Sequence, residues 1–249
     1  MVNNDVHFTL QGKGGVGKSF NSSIVAQYFM DYKERKDVSV ADTDPVNAST
    51  ARVKRLKAAV IEITENNTVI QSKFDPLFEA ILANEGTFVV DNGASTFLPM
   101  LQYFGDNEVI QMLTDSGKNV FIHTIIVGGQ AFADTLQGYK NILNMVKGTK
   151  AKVVVWINEF QGVPTLKGTP IIESGLFENA GDNLAGVVRF VNRNSDAFDS
   201  DLKRLTEKSL TLKEAENDAD FKIMSRSRLN RVFTDIYKQL DAIFDKEAE

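Results

Sequence analysis

Residues 12 to 19 read Gly-Lys-Gly-Gly-Val-Gly-Lys-Ser, a complete G-x-x-x-x-G-K-[ST] run with a second lysine, Lys13, directly after the first glycine. The chemistry that this spacing serves is the gripping of a triphosphate. Gly12, Gly14, Gly15 and Gly17 open backbone conformations closed to residues with a Cβ. Successive N–H groups, that of Val16 among them, can then turn inward around phosphate oxygens. A helix starting near Lys18 adds its positive N-terminal end, and Phe20 lies in its first turn. Lys18 is expected to reach the β- and γ-phosphates and the Ser19 hydroxyl to bind Mg²⁺. The ligands implied are ATP or ADP, with Mg²⁺.

Carboxylates supply the other half of phosphoryl chemistry, which needs positioning and charge stabilisation more than covalent steps. Val38-Ser39-Val40-Ala41 leads into Asp42-Thr43-Asp44-Pro45. We expect Asp44 to orient the water that attacks the γ-phosphate and Asp42 to serve the metal shell. The competing expectation is a turn aspartate before Pro45. Thr87-Phe88-Val89-Val90 ends in Asp91, the pattern of an acid that supports Mg²⁺ at the end of a strand, and Asn92-Gly93 then turns sharply. Val153 to Ile157 ends in Asn158, whose amide can donate to and accept from a purine edge, and Arg193 is placed beside the base. His7 and His123 lie in apolar runs without companions at ligand spacing and read as core or strand-end residues.

These groups need elements to hold them. β-branched apolar runs recur at Val6–Leu10, Val38–Ala41, Ala59–Ile63, Thr87–Val90, Val120–Val127, Val153–Ile157 and Leu184–Val191. Several are apolar throughout, as strands are when both faces of a parallel sheet are covered. Helical periodicity occupies about 19–33, 75–84, 97–115, 130–147 and 196–208. Alternation of this kind predicts a doubly wound, mostly parallel α/β sheet with helices on both faces, a P-loop NTPase. Residues 1–249 are read as one domain. Gln161–Gly175 is expected to form a loop or lid over the nucleotide side. From about 225 to 245, Leu229, Val232, Phe233, Ile236, Leu240, Ile243 and Phe244 fall on one helical stripe. That stripe lacks the basic face and tryptophan of an interfacial anchor, so packing on the sheet or a partner is favoured over a direct membrane contact.

The chain has 249 residues, 43% hydrophobic and 24% charged, with net charge −5. The acidic balance argues against a wholly basic nucleic-acid binder, although Arg52, Lys54, Arg55 and Lys57 form one basic run and Arg226, Arg228 and Arg231 another. Non-specific DNA binding through them remains open. The absence of cysteine excludes disulfides, thiolate clusters and cysteine nucleophiles. Met-Val-Asn-Asn-Asp lacks a basic n-region and an apolar h-region, which predicts a cytoplasmic protein.

Lys13-Gly-Gly-Val-Gly-Lys-Ser, Asp42-Thr-Asp-Pro and Phe88-Val-Val-Asp91, in that order, resemble the deviant Walker A ATPases, the bacterial ParA and MinD group. A narrower likeness, to the TraL family of conjugative plasmids, rests on Val90-Asp-Asn-Gly-Ala-Ser, His123-Thr-Ile-Ile-Val-Gly-Gly-Gln-Ala, Val154-Val-Trp-Ile-Asn158 and Ile223-Met-Ser-Arg-Ser-Arg-Leu. The resemblance implies an ATP-dependent homodimer in which Lys13 reaches the partner's phosphates, slow hydrolysis, Asp44 in switch I and Asp91 in switch II. It also implies a partner in conjugation or plasmid maintenance. Two departures stand out. Gly93-Ala94 replaces the usual Pro-Pro after the Walker B acid, and Val46 replaces the usual Gln or Gly. A nucleotide-binding scaffold without turnover and an ATP-dependent ligase are the other functions that such a loop can serve.

Overall fold

The computed structural model describes residues 4–66 and 68–245. The first three residues of the N-terminal stretch that bears on targeting lie outside them. Seven strands form one parallel sheet: β1 (Asp5–Thr9), β2 (Val38–Asp42), β3 (Ala59–Val60), β4 (Thr87–Asp91), β5 (Asn119–Val127), β6 (Lys152–Asn158) and β7 (Leu184–Phe190). Their order is β7-β6-β5-β1-β4-β2-β3. The order reverses direction around β1, so the topological switch lies beside the strand that feeds the glycine run, where ligands of open α/β sheets bind.

Both faces of the sheet are covered. On one face Val6, Phe8, Val120, Ile122, Val153 and Val155 pack against α2 (Asp75–Ala83), α3 (Phe97–Asp106), α4 (Val109–Asp115) and α5 (Phe132–Val146). On the other, Phe121, Ile125, Val154 and Trp156 meet α1 (Lys18–Gln27), α6 (Asp196–Glu207) and α8 (Ile223–Phe244). Neighbouring side chains on a strand point to opposite faces, so both faces demand apolar residues. This is why the strands read as unbroken hydrophobic runs.

The amphipathic stripe of the last helix is spent on this packing. Leu229, Val232, Phe233, Ile236, Leu240 and Ile243 are buried, each burial worth about 1.5–3 kcal/mol. Among the described residues no helix is long and apolar enough to cross a membrane.

Several boundaries differ from expectation. The strand at 59–63 pairs only over Ala59–Val60, and Ile61 then donates its N–H to the Asp42 carbonyl before the chain leaves the sheet. The span 97–115 is two helices, because Glu108 takes a left-handed conformation (φ 49°) between them. After Gln27 the first helix loosens into one wider turn, Tyr28–Tyr32, closed by Lys33 N–H to Tyr28 O. That turn lets the hydroxyls of both Tyr28 and Tyr32 donate to Asp241 of α8. A short helix α7 (Leu212–Ala215), opened by a reciprocal Thr211–Glu214 cap, escaped the periodicity because it is a single turn.

The histidines are core residues, linked across the sheet. Trp156 Nε1–H donates to His123 Nδ1 at 2.9 Å, and His123 Nε2 lies 3.0 Å from His7 Nδ1. An indole can only donate. The proton of His123 therefore sits on Nε2, and that of His7 on Nε2, which is buried without a partner. Burial holds both rings far below the ordinary imidazole range, His7 at about 3, with the Arg35 charge adding to the effect on His7.

Candidate nucleotide site

The carboxyl ends of five strands set the site. In register, Asp91 of β4 faces Thr9 of β1 on one side and Asp42 of β2 on the other, and Val127 of β5 faces Asn158 of β6. The glycine run leaves β1 above this row and enters α1 at Lys18. Gly15 and Gly17 have φ of +73° and +100°, which a Cβ would strain, and at Gly14 and Gly15 a Cβ would meet open space. Gly17 is the residue before the helix, so its left-handed turn aims the first N–H groups of α1 into the opening.

Two adjoining cavities open there. The first, about 550 Å³, is lined by Gly14, Gly15, Gly17, Lys18, Ser19, Phe20, Asp44, Val46, Asn47, Ser49, Ala94 and Ser95. The second, about 510 Å³, shares Gly15, Gly17 and Phe20 and adds Val16, Asn158, Phe160, Gln161, Phe190 and residues of α6. The first carries the charged groups of Lys18 and Asp44 and the hydroxyls of Ser19, Ser49 and Ser95. The second has an aromatic wall, with Phe20 and Phe190 rings 5.6 Å apart. A pocket with charged groups beside one with an aromatic wall matches a phosphate tail joined to a planar base.

Lys18 is 8% exposed, and its ammonium donates to the Lys13 carbonyl at 2.9 Å. Burial pushes its pKa down, while Asp91 and Asp44 pull it back up. Asp91 is buried. Its Oδ1 accepts from the Ser22 hydroxyl (3.0 Å) and its Oδ2 from the Thr50 hydroxyl (2.7 Å). Desolvation raises its pKa, and the Ser19, Thr50 and Ser22 hydroxyls and the Lys18 charge work against that rise. Asp42 is pushed up to about 6, mainly by desolvation, and the neighbouring Asp91 adds to this. The buried Asp91 carboxylate and Asp44, both acting on the single ammonium of Lys18, make a site that favours an added cation. Ser19, with Asp91 behind it, therefore fits Mg²⁺, which supplies charge neutralisation for bound phosphates.

Asp44 forms a turn and also reaches the cavity. Its Oδ1 accepts from Val46 N–H (2.9 Å) and Asn47 N–H (3.1 Å), a side-chain turn around Pro45, and the residue also lines the phosphate cavity. It explains one family departure as well. A Cβ on Gly93 would lie 2.8 Å from Asp44 Cγ, so with Asp44 in this place residue 93 has to be glycine. Val46, the other departure, is 74% exposed at the cavity rim.

Other expected residues are placed differently. Both oxygens of Asp42 are occupied by backbone N–H groups, Asp44 on Oδ1 (3.0 Å) and Ala51 on Oδ2 (3.1 Å), so it faces the 43–51 loop and not the cavity. Asn158 lines the second cavity, but its amide donates to Val16 O (3.1 Å) and accepts from Phe160 N–H (3.0 Å), bracing the loop. Arg193 does not line the second cavity. It pairs with Asp235 and lines a separate cavity with Ser195, Phe198, Arg228 and Arg231. Gly12 packs against the Phe97 ring.

Lys13 points away from both cavities to Asp134 at the start of α5, a 2.8 Å ion pair with both side chains substantially exposed. Of the expected lid, Gln161 reaches the loop, donating to Gly15 O at 3.1 Å. The segment beyond it turns into a two-stranded hairpin, Thr165–Leu166 with Thr169–Pro170. The basic runs are partly committed: Arg55 pairs with Asp31 and Arg228 with Asp201. Phe190, Thr50 and Ser22 were missed, because a phenylalanine ending a strand and hydroxyls next to a motif carry no signal of their own in sequence.

A protein called Protein TraL from Escherichia coli is 33% identical over 237 residues, covering 95% of this chain and 97% of that one. The chain belongs to the TraL family. Solved structures of similar fold include the MinD cell division protein of Aquifex aeolicus (14% identity, 95% of this chain and 96% of that chain, TM-score 0.51). A ParA family ATPase from Chlorobium tepidum matches at 14% identity over 96% of this chain and 100% of that one, also with TM-score 0.51. These establish a shared fold for the TraL-family chain. No model of a known protein family matches it.

Proposed function

We propose that the chain is an ATP-binding molecular switch that hydrolyses ATP slowly, dimerises on ATP and acts in plasmid conjugation or in positioning plasmid or transfer machinery. The observation that carries this is the convergence of Lys18, Ser19 and Asp44 on one cavity, with Asp91 directly behind Ser19. The glycine arc and Lys18 grip the phosphates. Asp44, on a loop that forms the cavity wall, orients water toward the γ-phosphate. Slow turnover fits this arrangement, since Oδ1 of Asp44 is engaged by its own loop and must be shared or released.

Dimerisation rests on Lys13. It is 44% exposed and lies outside the cavity of its own chain, available to the phosphates of a second copy once its Asp134 contact breaks. The role in conjugation rests on the TraL kinship. Direct DNA contact through the exposed Arg231 and the basic run after switch I belongs to the same proposal and is expected to weaken steeply with salt. The test is solution mass with ATP, with ADP and with neither. Wild type is expected to be monomeric with ADP, and Asp44→Ala to accumulate as dimer with ATP. A monomer throughout, in both proteins, overturns the switch. A measured ATPase rate separates it from a scaffold that binds without turnover.

A further inference from the structure

The loop between β2 and β3 is tied down at two carboxylates. Asp42 accepts the N–H groups of Asp44 and Ala51, near the two ends of the loop. Asp91 accepts the hydroxyl of Thr50 at 2.7 Å, shorter than the 3.0 Å bond from Ser22. Thr50 is 1% exposed, and its Oγ1 also lies 3.5 Å from the carbonyl of Ser19. Between these ties Asp44, Val46, Asn47 and Ser49 form one wall of the phosphate cavity. A single buried hydroxyl thus joins the wall of the cavity to the acid that stands behind Ser19.

We propose that Thr50 is a positioning residue for the metal side of this site. Its hydroxyl orients the Asp91 carboxylate and fastens the far end of the 43–51 loop to it, so that Mg²⁺ affinity is coupled to the placement of that end of the loop. Ser22 holds the other carboxylate oxygen from within α1, an element that does not line the γ-phosphate side of the cavity through that residue. Thr43 joins the start of the 43–51 loop to the backbone carbonyl of Asp91, whereas Thr50 ties the far end of the loop to the Asp91 carboxylate itself. The inference rests on the nucleotide reading of the site given above. Loss of an outer partner of this kind costs roughly 10–100-fold in metal affinity.

The test uses the full chain, a fluorescent ATP analogue (mant-ATP) and titrated Mg²⁺, with a parallel series in EDTA. Thr50→Val keeps the shape and removes the hydroxyl. It is expected to raise the Mg²⁺ concentration at half-saturation by about tenfold or more while leaving the metal-free affinity for mant-ATP unchanged. Thr50→Ser restores the hydroxyl and is expected to return the Mg²⁺ requirement toward wild type. If Thr50→Val matches wild type in Mg²⁺ requirement, the assignment is overturned. It is also overturned if binding with and without Mg²⁺ weakens equally and Thr50→Ser does not rescue, for then Thr50 only packs. A wild-type chain that takes up no mant-ATP at all would overturn the nucleotide reading itself, a result distinct from either.

Discussion

Two of the places where polar groups are buried in this protein behave differently. At the carboxyl ends of the strands, Lys18, Asp42, Asp91 and Thr50 have partners drawn mostly from loops and helix starts, beside an open cavity. In the middle of the sheet, His7, His123 and Trp156 have partners drawn from neighbouring strands and are sealed by Phe29, Phe121 and Phe244. In the first place the partners can be exchanged for a ligand without opening the core. In the second they cannot. Both regions look alike in sequence, as polar residues within or ending apolar runs. Position along the strand, not residue type, separates a site from a satisfied interior.

The comparison breaks if a change in one region is felt in the other. The largest expected effect is that of Lys18→Ala, which removes charge-assisted hydrogen bonds to phosphate and should weaken ATP binding by about 100-fold. Thermal unfolding of the free protein should hardly move. Equal ATP affinity in wild type and variant, by calorimetry, would remove the site. Next is His123→Leu, which leaves the buried Trp156 N–H unpaired and should cost about 1–3 kcal/mol of stability. Its ATP affinity, measured under conditions where it is folded, should equal that of wild type.

Acid sharpens the same contrast. Both imidazoles titrate far lower in the folded chain than unfolded, so the unfolded state binds more protons below about pH 6.5. Their contribution to stability is complete above that pH and is lost as pH falls toward about 3. Asp42, raised to about 6, works in the opposite sense. Its contribution is present below the ordinary carboxylate range and is lost as pH rises through about 6. Asp91, whose pKa is also raised, adds to the effect of Asp42, so urea unfolding should show a change in stability between pH 7 and 5 that is smaller than the loss from the two histidines alone. NMR of the imidazoles should meanwhile show neither ring protonating. A histidine that titrates near 6.5 in the folded protein refutes the sealed network. The smallest effect is expected of Arg193→Ala. It removes a half-exposed pair worth about 0–1 kcal/mol and should leave ATP affinity within twofold.

Much of the phosphate side was legible in the sequence because its parts are contiguous or end neighbouring strands. Residues 12–20 need only their own glycines and the start of a helix to form a cradle. Asp44 and Asp91 follow apolar runs whose register brings their ends together. The base side was not legible in the same way. Its wall combines residues 15–20, 158–161, 190 and 199–206, and no spacing rule links them. Arg193 shows the limit: three residues beyond β7 it could have turned toward the base, yet Asp235 of α8 holds it elsewhere.

Local chemistry by itself determined the loop conformation and the strand–helix alternation, because these follow from backbone freedom and side-chain period over a few residues. The tertiary structure alone decided which oxygen of Asp91 belongs to which hydroxyl, that Asp42 serves a loop, that Lys13 rests on Asp134, and where the protons sit on two histidines. Those outcomes depend on distances between segments remote in the chain. Such distances come from packing both faces of a sheet, which many sequences can satisfy and no short motif encodes.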